Sequence, residues 1–203
     1  MLIEQPALLL RLLYPAALRR MSKKERAVYL TFDDGPIPEA TPFVLATLER
    51  YHIKATFFMV GDNAQKHPDL LHQVITAGHR VGNHTFNHIS ALHISNNAYL
   101  ANTLKAEHLL HTNLFRPPHG WMRRTQYKLL LKSYRIVLWD VVTRDYSRRI
   151  TANDVVNNVK RYTRNGSIIT FHDSLKSIDK LHTALPQSIE WLISKGYTFK
   201  TIN

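Results

Sequence analysis

The stretch "YLTFDDGP" at residues 29–36 places two neighbouring carboxylates, Asp33 and Asp34, where an apolar run meets a Gly-Pro turn. Asp and Gly are ordinary turn residues, so these letters alone fit a structural turn as well as a functional site. Two adjacent like charges at the end of a strand are nevertheless unusual. The pattern in the rest of the chain decides between the two interpretations.

From residue 28 onward, short β-branched and aromatic runs alternate with longer segments of helical periodicity. We predict strands at 28–33, 54–60, 79–85, 114–118, 135–141, 167–172 and 197–202, and helices near 39–51, 67–77, 96–112, 125–133, 152–164 and 180–195. This alternation predicts an α/β protein with parallel strands, either closed into a barrel or open and doubly wound. Neither GxGxxG nor a P-loop is present, which argues against those types of nucleotide binding.

Composition limits the possible partners. The 203 residues are 44% hydrophobic, which suits one globular domain, and the absence of cysteine excludes disulfides and thiolate metal sites. A net charge of +12 favours an acidic partner such as nucleic acid, an anionic membrane surface or an anionic glycan. The basic residues do not form a stripe interleaved with aromatic residues, so we do not expect nucleic-acid binding.

The first 27 residues are expected to form an apolar and basic extension that packs on or near the domain. Its apolar stretch, "PALLLRLLYPAAL" at 6–18, is far shorter than the roughly 20 residues of a spanning helix. A short helix packed on the domain is the favoured interpretation, and peripheral membrane contact is the alternative. No clear signal peptide is visible, so the sequence leaves open whether the protein is cytoplasmic or associated with the envelope.

Ionisable residues gather at the predicted carboxyl ends of the strands, where parallel β/α folds carry their chemistry. They are Asp33, Asp34, His84, His88, Arg116, His119, Asp140, Asp145, His172 and Asp173. An HxxxH pair alone is a weak signal in a chain with 12 histidines. Its coincidence with the other strand ends points to an active site.

Two histidines and one carboxylate can bind a divalent metal ion and leave positions open for water and substrate. Either of the two neighbouring aspartates would suffice as the ligand. The other is then free to act as the base that takes a proton from water, because neighbouring side chains on a strand point in different directions.

The remaining residues fit a hydrolysis. Arg116 can pair with the base aspartate and hold it ionised. Pro117 and Pro118 have no N–H, so the amide of His119 is the first donor after them that could stabilise an oxyanion. His172 could protonate the leaving group, and Asp145 could raise the pKa of that histidine.

At these residues the sequence resembles the polysaccharide deacetylase family, also called the NodB-homology domain or carbohydrate esterase family 4. The matching motifs are, in the family's order, "TFDDGP", "HTFNH", "RPPHG", "DVVTRDY" and "IITFHDS". With the strand pattern, the resemblance covers about residues 28–202. We therefore expect a catalytic domain at 28–203.

The resemblance implies a distorted (β/α)7 barrel with parallel strands and metal-dependent N- or O-deacetylation. The implied ion is most often Zn²⁺, with Co²⁺ or another divalent ion as alternatives. The implied metal ligands are Asp34, His84 and His88. The other implied roles are Asp33 as base, Arg116 tuning that base, His119 as oxyanion donor, His172 as acid and Asp145 tuning that acid.

Two departures from the family pattern affect these assignments. The family often has Tyr at the position of His119, which changes the rim of the site but not the backbone donor. The usual DxxDW motif is altered, since five positions separate Asp140 from Asp145 and Tyr146 replaces Trp. Asp140 therefore stays a second candidate for the partner of His172.

The expected substrate is an acetylated glycan such as peptidoglycan, a chitooligosaccharide or xylan, acted on by a monomer. The alternative within the same fold is a deformylase or amidase that acts on an anionic lipid-linked amino sugar. A glycan-binding relic without activity is the non-enzymatic alternative, but such a relic would be expected to have lost one of the site residues. An iron oxygenase is disfavoured, because its usual HxD motif and antiparallel fold are not predicted here.

Overall fold

The structure is a computed structural model that describes residues 4–5 and 8–203. Its helices are α1 (Leu8–Leu13), α2 (Thr41–Arg50), α3 (Gly61–Lys66), α4 (Pro68–Thr76), α5 (Asn96–Leu110), α6 (Arg124–Leu130), α7 (Ala152–Tyr162) and α8 (Ile178–Ser194). Its strands are β1 (Ala27–Asp33), β2 (Thr56–Met59), β3 (Arg80–Asn83), β4 (Leu114–Phe115), β5 (Arg135–Ile136), β6 (Val141–Val142), β7 (Ile168–His172) and β8 (Thr198–Phe199).

The strands form one parallel sheet in the order β5-β4-β3-β2-β1-β7-β6, and β8 pairs with the start of β1. The helices between the strands cover the outside of the curved sheet, since the apolar faces of α2, α7 and α8 pack on it. The expected distorted (β/α)7 barrel with parallel strands is thereby confirmed. The parallel arrangement brings the carboxyl ends of the strands to one side of the molecule.

Strand β1 lies in the middle of the sheet and alternates its side chains between two buried surfaces. Phe32 faces the helices and stacks on Phe57 and Phe171, with ring centroids 5.1 and 5.9 Å apart. Tyr29 belongs instead to the apolar cluster inside the barrel. The same alternation directs Thr31 and Asp33 into the interior, so the period of the strand places the first carboxylate.

The apolar run at 135–141 forms two short strands on opposite edges of the sheet, so the prediction of a single strand was wrong. β5 pairs with β4, whereas β6 pairs with β7. The carbonyls of Val137 and Leu138 accept hydrogen bonds from the side chain of Arg116, at 3.4 and 3.0 Å. Between the two strands, the side chain of Arg116 thus supplies partners for these backbone carbonyls.

Two further features of the secondary structure differ from the prediction, the end of one strand and one additional helix. The strand expected at 114–118 ends after Phe115, because Pro117 and Pro118 have no N–H to continue a ladder. Helix α3 was not predicted and begins directly after β2. Its Asn63 donates a side-chain hydrogen bond to the carbonyl of Asp34 at 2.7 Å, so this short helix supports the chain after β1.

The gap between β5 and β6 is covered by the segment that precedes β1. Leu18 forms a parallel bridge with Val137, and Arg20 forms an antiparallel bridge with Ser167. Tyr14 is fully buried, and its hydroxyl donates to the carbonyl of Met122 at 2.5 Å and accepts from the amide of Met122 at 2.7 Å. This segment is therefore packed into the barrel wall.

No helix within the described residues is long and apolar enough to cross a membrane.

Replacing Tyr14 tests how firmly this segment is attached. Tyr14→Phe leaves two buried backbone groups of Met122 without a partner, so we expect the free energy of unfolding to fall by about 1–3 kcal/mol. The hydroxyl of Tyr51 bonds to Glu190 at an exposed position, and Tyr51→Phe should change stability by less than about 0.5 kcal/mol. Urea denaturation measures both variants, and equal losses would contradict the assigned role of Tyr14.

Candidate active site

A cavity of about 340 Å³ opens at the carboxyl ends of the strands. Polar residues from the ends of β1, β3 and β7 line one part of it, and apolar residues line the rest. The lining residues are Leu10, Asp33, Asp34, His84, His88, Pro117, His119, Trp121, Trp139, Val142, Tyr146, Thr170, His172 and Lys176. The cavity thus collects most of the residues that the sequence placed at strand ends.

Asp34, His84 and His88 form a cluster whose potential ligand atoms all lie within 4.8 Å of one another. Asp34 leaves the strand with φ of 85°, which turns its side chain away from that of Asp33. Its Oδ1 lies 3.3 Å from Nε2 of His88 and 3.8 Å from Nε2 of His84. Two imidazoles and one carboxylate therefore converge on one point, as a possible metal site requires.

Further contacts of these residues fit a divalent cation. Oδ1 of Asp34 is buried and has no hydrogen-bond partner among the residues that the structure describes. Nδ1 of His84 lies 2.7 Å from the carbonyl of Arg116, so it carries the proton and leaves Nε2 free as a ligand atom. Burial and the neighbouring His88 hold the pKa of His84 well below its ordinary value, which keeps this imidazole neutral.

Asp33 lies beside the cluster and pairs with Arg116, with 2.5 Å between Oδ1 and the guanidinium. Both side chains are buried, and Arg116 also bonds to the hydroxyl of Thr31 at 2.9 Å. Burial raises the pKa of Asp33 above its ordinary value, and the charge of Arg116 opposes this effect. The expected pairing is present, but desolvation, which the sequence did not reveal, shifts the pKa upward.

His172 pairs with Asp145 on the opposite side of the cavity. Its Nδ1 lies 2.8 Å from Oδ1 of Asp145, and its backbone amide donates to Oδ2 at 2.7 Å. Burial lowers the pKa of His172, but the charge and hydrogen bond of Asp145 outweigh it and raise the pKa to about 9. Asp140 lies elsewhere and bonds to Arg164 at 2.6 Å and to Ser167 at 2.7 Å. The partner of His172 is thus Asp145.

His119 stands in a short turn directly after the two prolines, with φ of 60°. Its ring lies edge-on to that of His88, with centroids 4.9 Å apart. Burial and the charge of His88 lower its pKa. The structure therefore brings His119 to the same cavity as the other residues singled out from the sequence.

Asp173 supports the site in a way that sequence reasoning missed. It is buried, and its carboxylate accepts hydrogen bonds from the amide of Gly35 at 3.1 Å and from the hydroxyl of Thr41 at 2.7 Å. Burial raises its pKa to about 7. A Cβ at Gly35 would lie 2.0 Å from Oδ2 of Asp173, so only glycine fits there. In the sequence, the feature that points to this role is the position of Asp173 directly after His172.

The apolar part of the cavity was also missed. Trp121, Trp139 and Val142 line it, and the ring of Tyr146 stands edge-on to His172 with centroids 4.7 Å apart. Trp121, Trp139 and Tyr146 lie outside the regular elements, and Val142 belongs to the short strand β6. No local pattern in the sequence assigns them to the cavity.

A barrel of parallel strands with paired acids and histidines at its carboxyl edge is the arrangement of an enzyme with a TIM-like barrel. A family model described as polysaccharide deacetylase matches residues 20–134. The chain belongs to the polysaccharide deacetylase family, which confirms the resemblance found in the sequence. The family's enzyme class is hydrolase.

Several named proteins are similar to this chain. Two peptidoglycan-N-acetylglucosamine deacetylases of Bacillus cereus are each 34% identical to it over 187 residues. These matches cover 86% and 88% of the chain and 66% and 87% of the two relatives. The deacetylase PgdA of Listeria monocytogenes is 32% identical over 90% of the chain, which spans only 39% of that protein.

Solved structures agree with the sequence matches. The crystal structure of the Bc1960 peptidoglycan N-acetylglucosamine deacetylase superimposes with a TM-score of 0.88 at 32% identity, covering 92% of this chain and 91% of that one. A mutant pseudoenzyme of carbohydrate esterase family 4, described as having restored enzymatic activity, gives a TM-score of 0.82 at 26% identity. That match covers 93% of this chain and 70% of the pseudoenzyme.

The pairing of His172 with Asp145 predicts a titration that NMR can follow. In protein freed of metal by a chelator, the ring of His172 should titrate near pH 9. Asp145→Asn should lower this pKa, because burial is then opposed only by the smaller effects of Asp34 and Asp33. Burial and the charge of Lys54 lower the pKa of His79 to about 4, so His79 should titrate near pH 4 in both proteins, as an internal control.

The same shift affects stability in a defined direction. Because the folded-state pKa of His172 is raised, its contribution is complete below about pH 6.5 and is lost as the pH rises through about 9. A His172 resonance that titrates near 6.5 in the unmodified protein, or that does not move in Asp145→Asn, would contradict the pairing.

Proposed function

We propose that this chain is a divalent-metal-dependent deacetylase that hydrolyses the N-acetyl group of glucosamine residues in a glycan, with peptidoglycan as the first candidate substrate. The observation that carries this proposal is the convergence of three pairs or clusters on one cavity. They are the Asp34, His84 and His88 cluster, the Asp33–Arg116 pair and the His172–Asp145 pair. The names of the relatives agree with it. The catalytic domain of this proposal is the one at 28–203 that the resemblance implies.

Asp34, His84 and His88 would hold the ion. Nitrogen and oxygen ligands in this number suit Zn²⁺, with Co²⁺ as an alternative that the same donors accept. When bound, the ion supplies Lewis acidity, which lowers the pKa of water and polarises the acetyl carbonyl. The neutral imidazole of His84 presents Nε2 for this purpose, because the carbonyl of Arg116 fixes its tautomer.

Asp33 would take the proton from the attacking water. Its burial raises its pKa and so makes it a stronger base than an exposed aspartate, while Arg116 keeps the carboxylate in place. The water oxygen then bonds to the acetyl carbon. The amide of His119, following two residues without N–H, would stabilise the oxygen that gains negative charge.

His172 would protonate the leaving amine. Asp145 occupies its Nδ1, so Nε2 delivers the proton to the sugar nitrogen as the carbon–nitrogen bond breaks. With a pKa of about 9, His172 is protonated at neutral pH and ready to act as an acid. The products are acetate and a free amino sugar, which balances the water consumed.

A family fold can exist without activity, since one structural neighbour is described as a pseudoenzyme. The present chain retains every residue that the proposed reaction uses. This retention favours an enzyme over a glycan-binding relic.

Acetate release across a panel of substrates tests the proposal. The panel contains peptidoglycan, chitooligosaccharides, acetylxylan and a formamido-sugar lipid, for which formate is measured. We expect acetate from the first two, and loss of about 10²–10⁴-fold in His172→Ala because the acid is removed. The exposed His72 on α4 supplies the control, His72→Ala, which should retain full activity. Release of formate alone would overturn the proposed substrate. If neither acetate nor formate is released from any substrate, the proposal that the chain is an enzyme is overturned.

The split between the two neighbouring aspartates predicts opposite effects of the same substitution. Asp34→Asn should abolish stoichiometric binding of the ion, measured by calorimetry with Zn²⁺. Asp33→Asn should still bind one ion per chain while turnover falls by about 10²–10⁴-fold. Circular dichroism confirms folding, since Asp33→Asn leaves Arg116 without its charged partner. If the effects on ion binding are exchanged, the two roles are exchanged.

A further inference from the structure

Leu10 on α1 lies against the catalytic cavity, although it stands outside the residues matched by the family model. It is only 5% exposed and packs in the apolar cluster that also contacts Trp121 and Trp139. We propose that Leu10 limits the size of the acyl group that the cavity accepts. This inference rests on the proposed function, because it concerns the acyl group that the enzyme removes.

The position of Leu10 is fixed from the side of its own segment. The guanidinium of Arg19 donates to the carbonyls of Leu10 and Arg11 at 3.2 and 3.4 Å, and also to that of Tyr14. One side chain thus closes the end of the short helix, whose last carbonyls would otherwise lack partners. Leu18, one residue before Arg19, is in turn bridged to Val137 in the barrel wall.

The segment is also bonded to two parts of the chain that line the apolar side of the cavity, the turn after Trp121 and strand β6. Tyr14 holds the amide and carbonyl of Met122, the residue after Trp121. On the other side, the amide of Val142 donates to the carbonyl of Glu4 at 2.8 Å. The carboxylate of Glu4 pairs with Arg144 at 2.8 Å. The contacts therefore hold Leu10 between two walls of the cavity.

The chemistry of these walls indicates which part of the substrate they meet. Leu10, Trp121, Trp139 and Val142 offer apolar surface, whereas the hydroxyls of a sugar ring need polar partners or water. The acetyl methyl is the wholly apolar part of an N-acetylated sugar. A longer acyl chain needs more apolar volume, and Leu10 takes up part of the volume that is available.

Two substrates that differ only in acyl length test this inference. They are the N-acetyl and N-butyryl forms of one chitooligosaccharide, and the free amine released from each is measured. Leu10→Ala should raise the ratio of kcat/KM for butyryl over acetyl by about tenfold or more, since one methylene in an apolar pocket is worth 10–200-fold. Leu10→Phe should lower it. Leu12→Ala, on the same helix but 67% exposed, is the matched control and should leave the ratio unchanged.

The ratio does not depend on how much of each variant is folded, because both substrates meet the same active fraction. Equal ratios in Leu10→Ala and Leu12→Ala would overturn the inference. A second measurement needs no turnover: acetate and butyrate, the carboxylate products, are titrated while the tryptophan fluorescence is followed, to which Trp121 and Trp139 in the cavity contribute. If the unmodified chain releases no amine, the proposed function fails. A relative gain in butyrate affinity in Leu10→Ala would then still support Leu10 as the limiting wall, and its absence would overturn this role.

Discussion

Arg116 lies fully buried inside the barrel, where its guanidinium joins segments that are far apart in the sequence. It pairs with Asp33 on β1 and donates to the carbonyls of Val137 and Leu138 between β5 and β6. Its own carbonyl fixes the ring of His84. Removing one partner of such a buried pair costs about 3–5 kcal/mol, because the remaining charge is left without compensation. The course of the barrel wall and the geometry of the site therefore depend on the same side chain.

Around Arg116, two histidines have pKa shifts of opposite direction because their surroundings differ. Burial next to another imidazole lowers the pKa of His84, whereas the carboxylate of Asp145 raises that of His172 to about 9. One histidine is thus neutral and suited to bind a cation, and the other is a cation that can give up a proton. Asp33 is buried and its pKa is raised, despite the pairing with Arg116. Different pKa shifts thus arise in one cavity from the balance between burial and the adjacent charges.

Much of this arrangement could be predicted from the sequence because it depends on local order along the chain. The parallel β/α units placed Asp33, His84 and His172 at one edge, and the motifs supplied the family. The sequence left the choice between Asp140 and Asp145 open, and only the fold shows that Asp145 contacts His172. What could not be predicted depends on contacts between distant residues.

The divided strand at 135–141 illustrates this limit, since its carbonyls bond to the distant Arg116, a contact that its own apolar pattern does not reveal. The same holds for Leu10, which an apolar periodicity assigns to a helix but not to a cavity. The upward shift of the Asp33 pKa also escaped prediction, because desolvation depends on the residues packed around a group. Sequence reasoning thus located the ionisable side chains that meet at the cavity and missed the residues that surround them.

The bridges of Leu18 to Val137 and of Arg20 to Ser167 also have a consequence for how the barrel assembles. Strand β1 sits at the centre of the sheet and pairs with β7 and β8 from the other end of the chain. The pairing of β1 is therefore complete only after residues near the end of the chain are available, and the contact order of the fold is high. During synthesis, β1 and the segment before it are exposed until the last strands have left the ribosome, so chaperones that shield apolar strands have their longest opportunity to act at this part of the chain.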